Sequence, residues 1–338
     1  MTFHASGIGF ACEAYPTGMN LSLVIRVMKA SSDQGIQAAA ALIEAFSDAL
    51  GSSKADLASS RCLSRPDLVG LVLKARDATD IPFLRKYSAT GLIRLLVDAA
   101  VVRAVPLEPM APKLKSDRLY LVGLATPVAA LDSAEILQAH VPQGILCYFT
   151  AIELHGLTTQ QAPHHHIARL RKKVPPPIPA PAELSASEHS PSLGSAQFAL
   201  DGLTYYSTQR DPQGLQQTQR RQLNPYCTVT MTGLEQTLLD CLHRPMSAGG
   251  AAVVFEAWEA GMKRTTSERI IELAKQIGDP LLLRRAGYMI AQQQPDAPIL
   301  RSLRDGLLSS VQMSQTMPTL LPGIPYRHED PVWGLRTP

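Results

Sequence analysis

Residues 224–261, NPYCTVTMTGLEQTLLDCLHRPMSAGGAAVVFEAWEAG, contain the signals of a strand followed by two helices. Residues 227–230 are rich in β-branched side chains in alternation, which is typical of a strand packed on one face. Thr232 and Glu235 have the spacing of a capping box at a helix start. Pro245 ends that helix, and Gly249-Gly250 separates it from the next. The apolar face of the first helix is predicted to consist of Leu234, Leu238, Leu239 and Leu242. This stretch therefore predicts the core of a domain, and it contains no recognisable reaction centre.

Two further segments accompany this one in a fixed order along the chain. They are YFTAIELHGLTTQ at 148–160, before the central segment VTMTGLEQTLLDCLHRPMSAGG at 229–250, and DPVWGLRTP at 330–338, after it. In sequence and in order, the three segments resemble the AbiEi family of antitoxins and transcriptional regulators of phage-defence systems. The resemblance spans roughly the C-terminal two thirds of the chain, and residues 175–194 depart from the family pattern.

The resemblance implies both a fold and a function. It implies an α+β protein in which an N-terminal winged helix-turn-helix domain precedes a mixed α/β antitoxin domain with a helical C-terminal part. It also implies a bicistronic operon with a nucleotidyltransferase-like toxin. The antitoxin would counteract that toxin without a tight complex (a type IV system) and would repress its own promoter, with double-stranded DNA as its partner.

Composition limits the class of protein. The chain has 338 residues, 45% of them apolar and 18% charged, which predicts a core-forming protein with room for two domains. Its formal net charge is only +3, so contact with nucleic acid would need a local basic patch. Apolar runs end well before the roughly 20 residues of a membrane span. The five cysteines form no CxxC pair, which favours reduced thiols in the cytoplasm.

Three regions follow from these signals. Residues 1–33 have no clear periodicity, and we expect them to be unstructured or to precede a true start at Met28. Residues 34–125 are predicted to form the winged helix-turn-helix domain, and residues 126–338 the antitoxin domain. Within the latter, the proline-rich stretch 174–195 is predicted to be a mobile loop. Asp201-Gly202 predicts a hairpin turn, and Gly156 predicts the end of a buried helix.

Residues 81–123 carry the signals for DNA binding. A short helix at 82–86 and a cap at Ser88 precede a helix that points Leu92, Leu95 and Leu96 inward. Two strands and their loop then resemble a wing, which would lie along the phosphates while the helix enters the major groove. Residues 81–120 contain seven Lys or Arg residues and only three acidic residues. Thr90 and Arg94 are predicted to reach base edges, and the phosphate contacts are predicted to be Arg85, Lys86, Lys113, Lys115 and Arg118, with Tyr87 beside them.

Another interpretation of these residues remains open, because a helical subdomain with a hairpin could simply expose its charges to water. The protein could also be a stand-alone regulator without a toxin partner. A third possibility is a nucleic-acid-processing enzyme that uses Asp201, Glu235 or Asp240.

Signals for catalysis or metal binding are weak. His164, His165 and His166 alternate between the two faces of a strand and cannot share one ion well, so we expect a solvated or strand-edge role. His155 is predicted to be a hydrogen-bonded core residue. Glu235 and Asp240 point in different directions on one helix, and Asp240 is expected to lie near Arg244. The chain has no Walker A, GxGxxG, GxSxG or HExxH motif. We therefore expect no enzymatic activity, cofactor or metal.

Overall fold

The computed structural model describes residues 33–110, 117–123, 127–172, 193–310 and 317–338. Contacts divide the chain into two compact units. The first contains residues up to 105 and 118–131, and the second contains 106–117 and 132–338. The expectations for residues 1–32 and for most of the loop at 174–195 lie outside the described residues. Among the residues that the structure describes, no helix is long and apolar enough to cross a lipid bilayer.

The first unit begins with two helices and a very short strand. They are α1 (Asp33–Ser53), β1 (Cys62–Leu63) and α2 (Arg65–Ala78). Ser64 caps α2 by accepting a hydrogen bond from the Asp67 amide, as expected for a serine before a helix. The sequence does not predict β1, because a two-residue strand is too short to show a periodicity.

A second helical segment and two strands complete this unit. A 3₁₀ helix (Leu84–Lys86) replaces the short helix predicted at 82–86, and α3 (Ala89–Asp98) follows. β2 (Val102–Pro106), the two-residue β3 (Glu108–Pro109) and β4 (Arg118–Val122) come next. β4 lies between β1 and β2 in a three-stranded sheet. The helices pack together through Leu42, Phe46, Leu68, Val72, Leu92 and Leu96.

β3 lies in the second unit, where it pairs with a strand of the larger sheet. That sheet also contains β5 (Ile145–Leu146), β6 (His164–Leu170), β7 (Ser195–Leu200), β8 (Leu203–Arg210), β9 (Thr218–Asn224) and β10 (Cys227–Thr232). The strand order is β3-β7-β8-β6-β5-β10-β9. The β6–β8 and β5–β10 pairs are parallel, and the other pairs with a defined register are antiparallel. The predicted hairpin turn is confirmed, since Asp201 and Gly202 both have positive φ between β7 and β8.

Seven helices belong to the described part of this unit, and most of them contribute to one large hydrophobic core. They are α4 (Ser133–His140), α5 (Phe149–His155), α6 (Leu234–His243), α7 (Ala251–Met262), α8 (Ser267–Ile277), α9 (Pro280–Gln293) and α10 (Ile299–Ser310). A final hairpin, β11 (His328–Asp330) and β12 (Leu335–Thr337), brings Trp333 against the core. Gly156 ends α5 in the left-handed conformation, as predicted. The molecule is α+β, in agreement with the predicted class.

The predicted start of α6 is wrong in detail. Thr232 is the last residue of β10, and Gly233 takes the N-cap position without a side-chain hydrogen bond. Thr232 pairs its hydroxyl with Thr237, 2.8 Å away. Glu235 turns to other chain segments and accepts hydrogen bonds from Thr265 Oγ1 at 2.6 Å and Gln217 Nε2 at 2.8 Å. Tertiary partners therefore replace the capping box.

Candidate nucleic-acid interface

α3 presents two of the predicted DNA-binding residues on its outer face. Leu92 and Leu96 are buried in the core of the first unit, whereas Thr90 and Arg94 are exposed. Thr90 and Arg94 are four residues apart, so they lie side by side on the helix. Ser88 Oγ accepts a hydrogen bond from the Gly91 amide at 3.2 Å and fixes the start of the helix. The amphipathic pattern thus determines which side chains face solvent.

Gly91 allows the preceding segment to pack closely on α3. A Cβ atom at this position would lie 3.3 Å from Cδ1 of Tyr87, tighter than most contacts of this kind. Tyr87 is half-buried, and its ring meets Phe83 edge-on at a centroid distance of 5.3 Å. Phe83 remains 39% exposed. Phe83 is not among the residues predicted from the sequence, although an aromatic residue two positions before an Arg-Lys pair is a signal that could have identified it.

The charged side chains of this segment form only weak, exposed ion pairs. The Arg85 guanidinium lies 3.5 Å from the Asp80 carboxylate, and both side chains are mostly exposed. Arg94 Nε lies 3.6 Å from Asp98 Oδ2, and the Arg94 side chain is 83% exposed. Exposed pairs of this kind contribute about 0–1 kcal/mol. Each guanidinium could therefore exchange its carboxylate for a phosphate or a base edge at little cost.

The structure brings only part of the predicted site together. Five of the predicted residues lie in the continuous segment from the 3₁₀ helix into α3: Arg85, Lys86, Tyr87, Thr90 and Arg94. Arg118 is exposed at the first position of β4. Lys113 and Lys115, predicted for the wing, lie outside the described residues. We call the exposed surface of residues 83–94 the α3 surface.

The histidine triplet is not at a solvated edge, and that prediction is wrong. β6 lies between β5 and β8 inside the sheet, and His165 and His166 are buried. Burial, followed by the charge of His164, lowers the pKa of His165 to about 4. In the described part of the chain, no three His, Cys, Asp or Glu residues are placed to hold a metal ion. His155, in contrast, is the predicted core residue, with Nε2 2.9 Å from the Thr232 carbonyl oxygen.

The three carboxylates considered for catalysis are dispersed. Asp201 is exposed in the hairpin turn between β7 and β8. Glu235 is engaged by Thr265 and Gln217, as described above. Asp240 lies near Arg244, whose amide donates to the Asp240 carbonyl oxygen at 3.0 Å, and its carboxylate pairs with Arg210 of β8 at 3.0 Å. Arg210 was missed because the pair joins residues 30 positions apart.

Comparisons with known proteins give little guidance. No protein-family model matches the chain, and no curated protein sequence matches it. A crystal structure of the RV2827C protein from Mycobacterium tuberculosis is similar over 87% of this chain and 91% of that chain, with 13% sequence identity and a TM-score of 0.44. A likeness this weak supports no conclusion about function, and the AbiEi resemblance stays a prediction.

Proposed function

We propose that this protein is a DNA-binding transcriptional repressor whose first unit recognises its own promoter. The observation that carries the proposal is the α3 surface, where Thr90 and Arg94 face outward from a helix whose opposite side is buried. Arg85 and Lys86 stand exposed just before that helix. The order helix, strand, two helices, two strands in this unit is also the order of a winged helix-turn-helix, which supports the proposal.

In this mechanism α3 enters the major groove, and its two outward residues read the bases. Arginine forms a bidentate contact with guanine O6 and N7, and Thr90 is short enough to bond either kind of base edge. Arg85 and Lys86 neutralise phosphates beside the groove, and Arg118 does so from β4. Tyr87 packs on Gly91 and holds the phosphate-binding and base-reading segments in a fixed relation.

The second unit, in the same proposal, is the antitoxin that counteracts a nucleotidyltransferase-like toxin. The three segments that resemble the AbiEi family support this assignment, since each contributes to one hydrophobic core. Phe149 comes from the first segment, Leu238 from the central one and Trp333 from the last. A sequence signature made of residues that pack together is what a shared fold would produce.

Binding of the full-length protein to a labelled fragment of its own upstream DNA tests the repressor role. Fluorescence anisotropy over a salt series should show site-selective binding that weakens as salt rises. Arg94→Ala should reduce affinity for the operator by about 1–3 kcal/mol and relax specificity at one base pair. Unchanged affinity and specificity in Arg94→Ala would contradict the groove assignment.

Lys86→Ala provides the complementary test. Loss of one phosphate contact should weaken binding to all sequences alike and reduce the salt slope by about one. Lys74→Ala is the matched control, because Lys74 is an exposed lysine of the same unit that hydrogen-bonds Ser52 and Ser53 on α1. Equal losses from the two lysines would indicate that binding reflects only the net charge of the unit.

The antitoxin role is tested by co-expression with a nucleotidyltransferase-like gene from the same operon. Growth should be rescued by the intact protein and by Arg94→Ala alike if neutralisation belongs to the second unit. Rescue that requires DNA binding would assign the effect to repression. A genome with no such neighbouring gene would favour a stand-alone regulator.

A further inference from the structure

Strand β9 forms one edge of the seven-stranded sheet. Its neighbour on one side is β10, and its other side pairs with no strand in the described part of the chain. The five residues from Thr218 to Gln222 are all exposed. An edge strand presents a row of N–H and C=O groups with which another extended chain can pair. The free side of β9 is therefore a candidate docking surface.

The two edges of this sheet differ. β3, at the opposite edge, is two residues long and includes Pro109, features with which proteins prevent unwanted pairing. β9 is seven residues long and contains neither proline nor glycine. Its register with β10 is regular from Thr218 to Gln222, and the irregularity lies beyond them at Cys227 and Thr228. The exposed part of β9 is thus a regular extended strand that can accept a further one.

Two adjacent arginines, Arg220 and Arg221, lie in the exposed part of β9. Successive side chains of a strand point to opposite faces, so the sheet edge has one guanidinium on each face. The sequence contains no acidic residue between Asp211 and Glu235. Within the ranges that the structure describes, Arg220 has no ion pair and no side-chain hydrogen bond. The edge is therefore positively charged.

A third arginine strengthens the charge on one face. Arg221 and Arg264 each donate from Nη1 to a carbonyl oxygen of one of the last two residues of α5. Both guanidinium groups therefore lie at the C-terminal end of that helix, and both side chains belong to exposed residues. Neither pairs with a carboxylate of a described residue. Glu235, the first acidic residue after β10, pairs with Arg269 at 2.9 Å instead.

These charges distinguish between the occupants that the edge could take. Antiparallel pairing of two β9 strands over all five exposed residues would place Arg220 opposite the same residue of a second copy. Like charges directly opposite each other destabilise a strand pair. A phosphate backbone carries only acceptors and would leave the outward C=O groups of β9 unused. An extended polypeptide with carboxylates matches both the backbone groups and the charges.

We propose that the free edge of β9 binds an extended acidic segment of a partner protein, which adds one strand to the sheet. Main-chain hydrogen bonds to residues 218–222 provide the affinity. Two consecutive acidic residues of the partner provide the specificity: one faces Arg220, and the other faces Arg221 and Arg264 across the sheet. This surface belongs to the second unit and does not depend on DNA binding by the α3 surface.

Fluorescence anisotropy with the full-length protein tests the proposal. The probe is a labelled, end-blocked nine-residue peptide of alternating threonine and valine with two consecutive glutamates at its centre. It should bind saturably. The same peptide with alternate backbone amides N-methylated should not bind, because it keeps both charges but lacks the donors for strand pairing.

Arg220 is the residue to change, because no described side-chain contact depends on it. Arg220→Ala should weaken binding of the peptide by about two- to fivefold, as expected for one cross-strand charge pair. Arg220→Glu should weaken it further and should bind the corresponding lysine peptide better than the wild type does. Arg301→Glu is the matched control, since Arg301 is an exposed arginine on α10 of the same unit. Operator binding should be unchanged in Arg220→Glu, which separates this test from that of the repressor role.

Amide hydrogen exchange provides a second readout without any variant. Exchange in residues 218–222 should slow when the peptide saturates the protein, because the outward N–H groups become hydrogen-bonded. Several results would overturn the proposal: no saturable binding of the peptide, unchanged exchange in β9, or equal losses in Arg220→Glu and Arg301→Glu. Equal binding of the N-methylated peptide would show charge attraction only. Displacement of the peptide by a nine-nucleotide single-stranded DNA at lower concentration than by unlabelled peptide would assign the edge to nucleic acid instead.

Discussion

Asp240→Ala should destabilise the second unit by leaving Arg210 charged and unpaired in the core. Arg210 is 7% exposed and Asp240 is 1% exposed, and their closest atoms are 3.0 Å apart. Burial lowers the pKa of Arg210, but the Asp240 carboxylate outweighs burial and raises it, so Arg210 is charged in the folded protein. Removing one partner of a buried pair costs about 3–5 kcal/mol.

The expected loss lies near the lower end of that range. Without the carboxylate, Arg210 still donates to the Gly214 carbonyl oxygen at 2.6 Å and to the Tyr148 hydroxyl. Two neutral acceptors lower the free-energy cost of burying the Arg210 charge but do not remove that cost. The free energy of unfolding should therefore fall by about 3 kcal/mol in Asp240→Ala.

Urea unfolding followed by tryptophan fluorescence measures this loss directly. The chain has 2 tryptophans, Trp258 and Trp333, and both belong to the core of the second unit, so the signal reports that unit. The double variant Arg210→Met/Asp240→Leu removes both charges and should recover most of the stability.

Glu259→Ala is the control for loss of an ion pair as such. It breaks a pair with Lys263 in which both side chains are mostly exposed, and it should cost less than about 1 kcal/mol. A loss below about 1 kcal/mol in Asp240→Ala, or a double variant no more stable than the single one, would refute the argument from buried charge.

Three further predictions concern acidity, packing and helix propensity. The pKa of His165 is about 4 in the folded protein and 6.5 in the unfolded chain, so the unfolded chain binds more protons between these two pH values. The contribution of neutral His165 to the free energy of unfolding is therefore fully present above pH 6.5. It falls by up to about 3 kcal/mol as the pH drops to about 4. Urea midpoints across this window should show the slope, His165→Phe should make it shallower, and exposed His328→Gln should leave it unchanged; an unchanged slope in His165→Phe would place the titrating group elsewhere. Gly287→Ala should lose about 1–3 kcal/mol by tryptophan fluorescence, because the added methyl would overlap the Trp333 ring. Gly70→Ala, where a Cβ would meet nothing within 4 Å, should instead gain about 0.5–1 kcal/mol by circular dichroism, and a loss there would contradict the helix-propensity argument.

Features that depend on a few neighbouring residues could be predicted from the sequence. The turn at Asp201-Gly202 and the end of α5 at Gly156 follow from the conformations that glycine and its neighbours allow. The exposed face of α3 follows from the spacing of its leucines. Each of these signals lies within one or two helical turns, so no distant part of the chain has to be known.

The hydrogen-bond and ion-pair partners that come from distant segments of the chain could not be predicted in the same way. Glu235 has the spacing of a capping residue, yet it bonds Thr265 and Gln217, because β10 ends directly against α6 and leaves no free N-cap side chain. The candidate DNA-binding residues illustrate the same limit. Their exposure follows from helix periodicity, but whether they contact DNA is a property of a complex and stays a prediction.

The amino-acid sequence alone determined the α+β class and the amphipathic helices, and it supplied the resemblance that suggests an antitoxin. Tertiary structure alone decided the environment of the polar residues. Three consecutive histidines are compatible with a solvated edge until β8 pairs with β6 and the fold buries His165 and His166. Asp240 meets Arg210 only because the fold brings α6 close to the last residue of β8. The physical reason is that burial and pairing depend on which distant segments come together, and local sequence does not encode that choice.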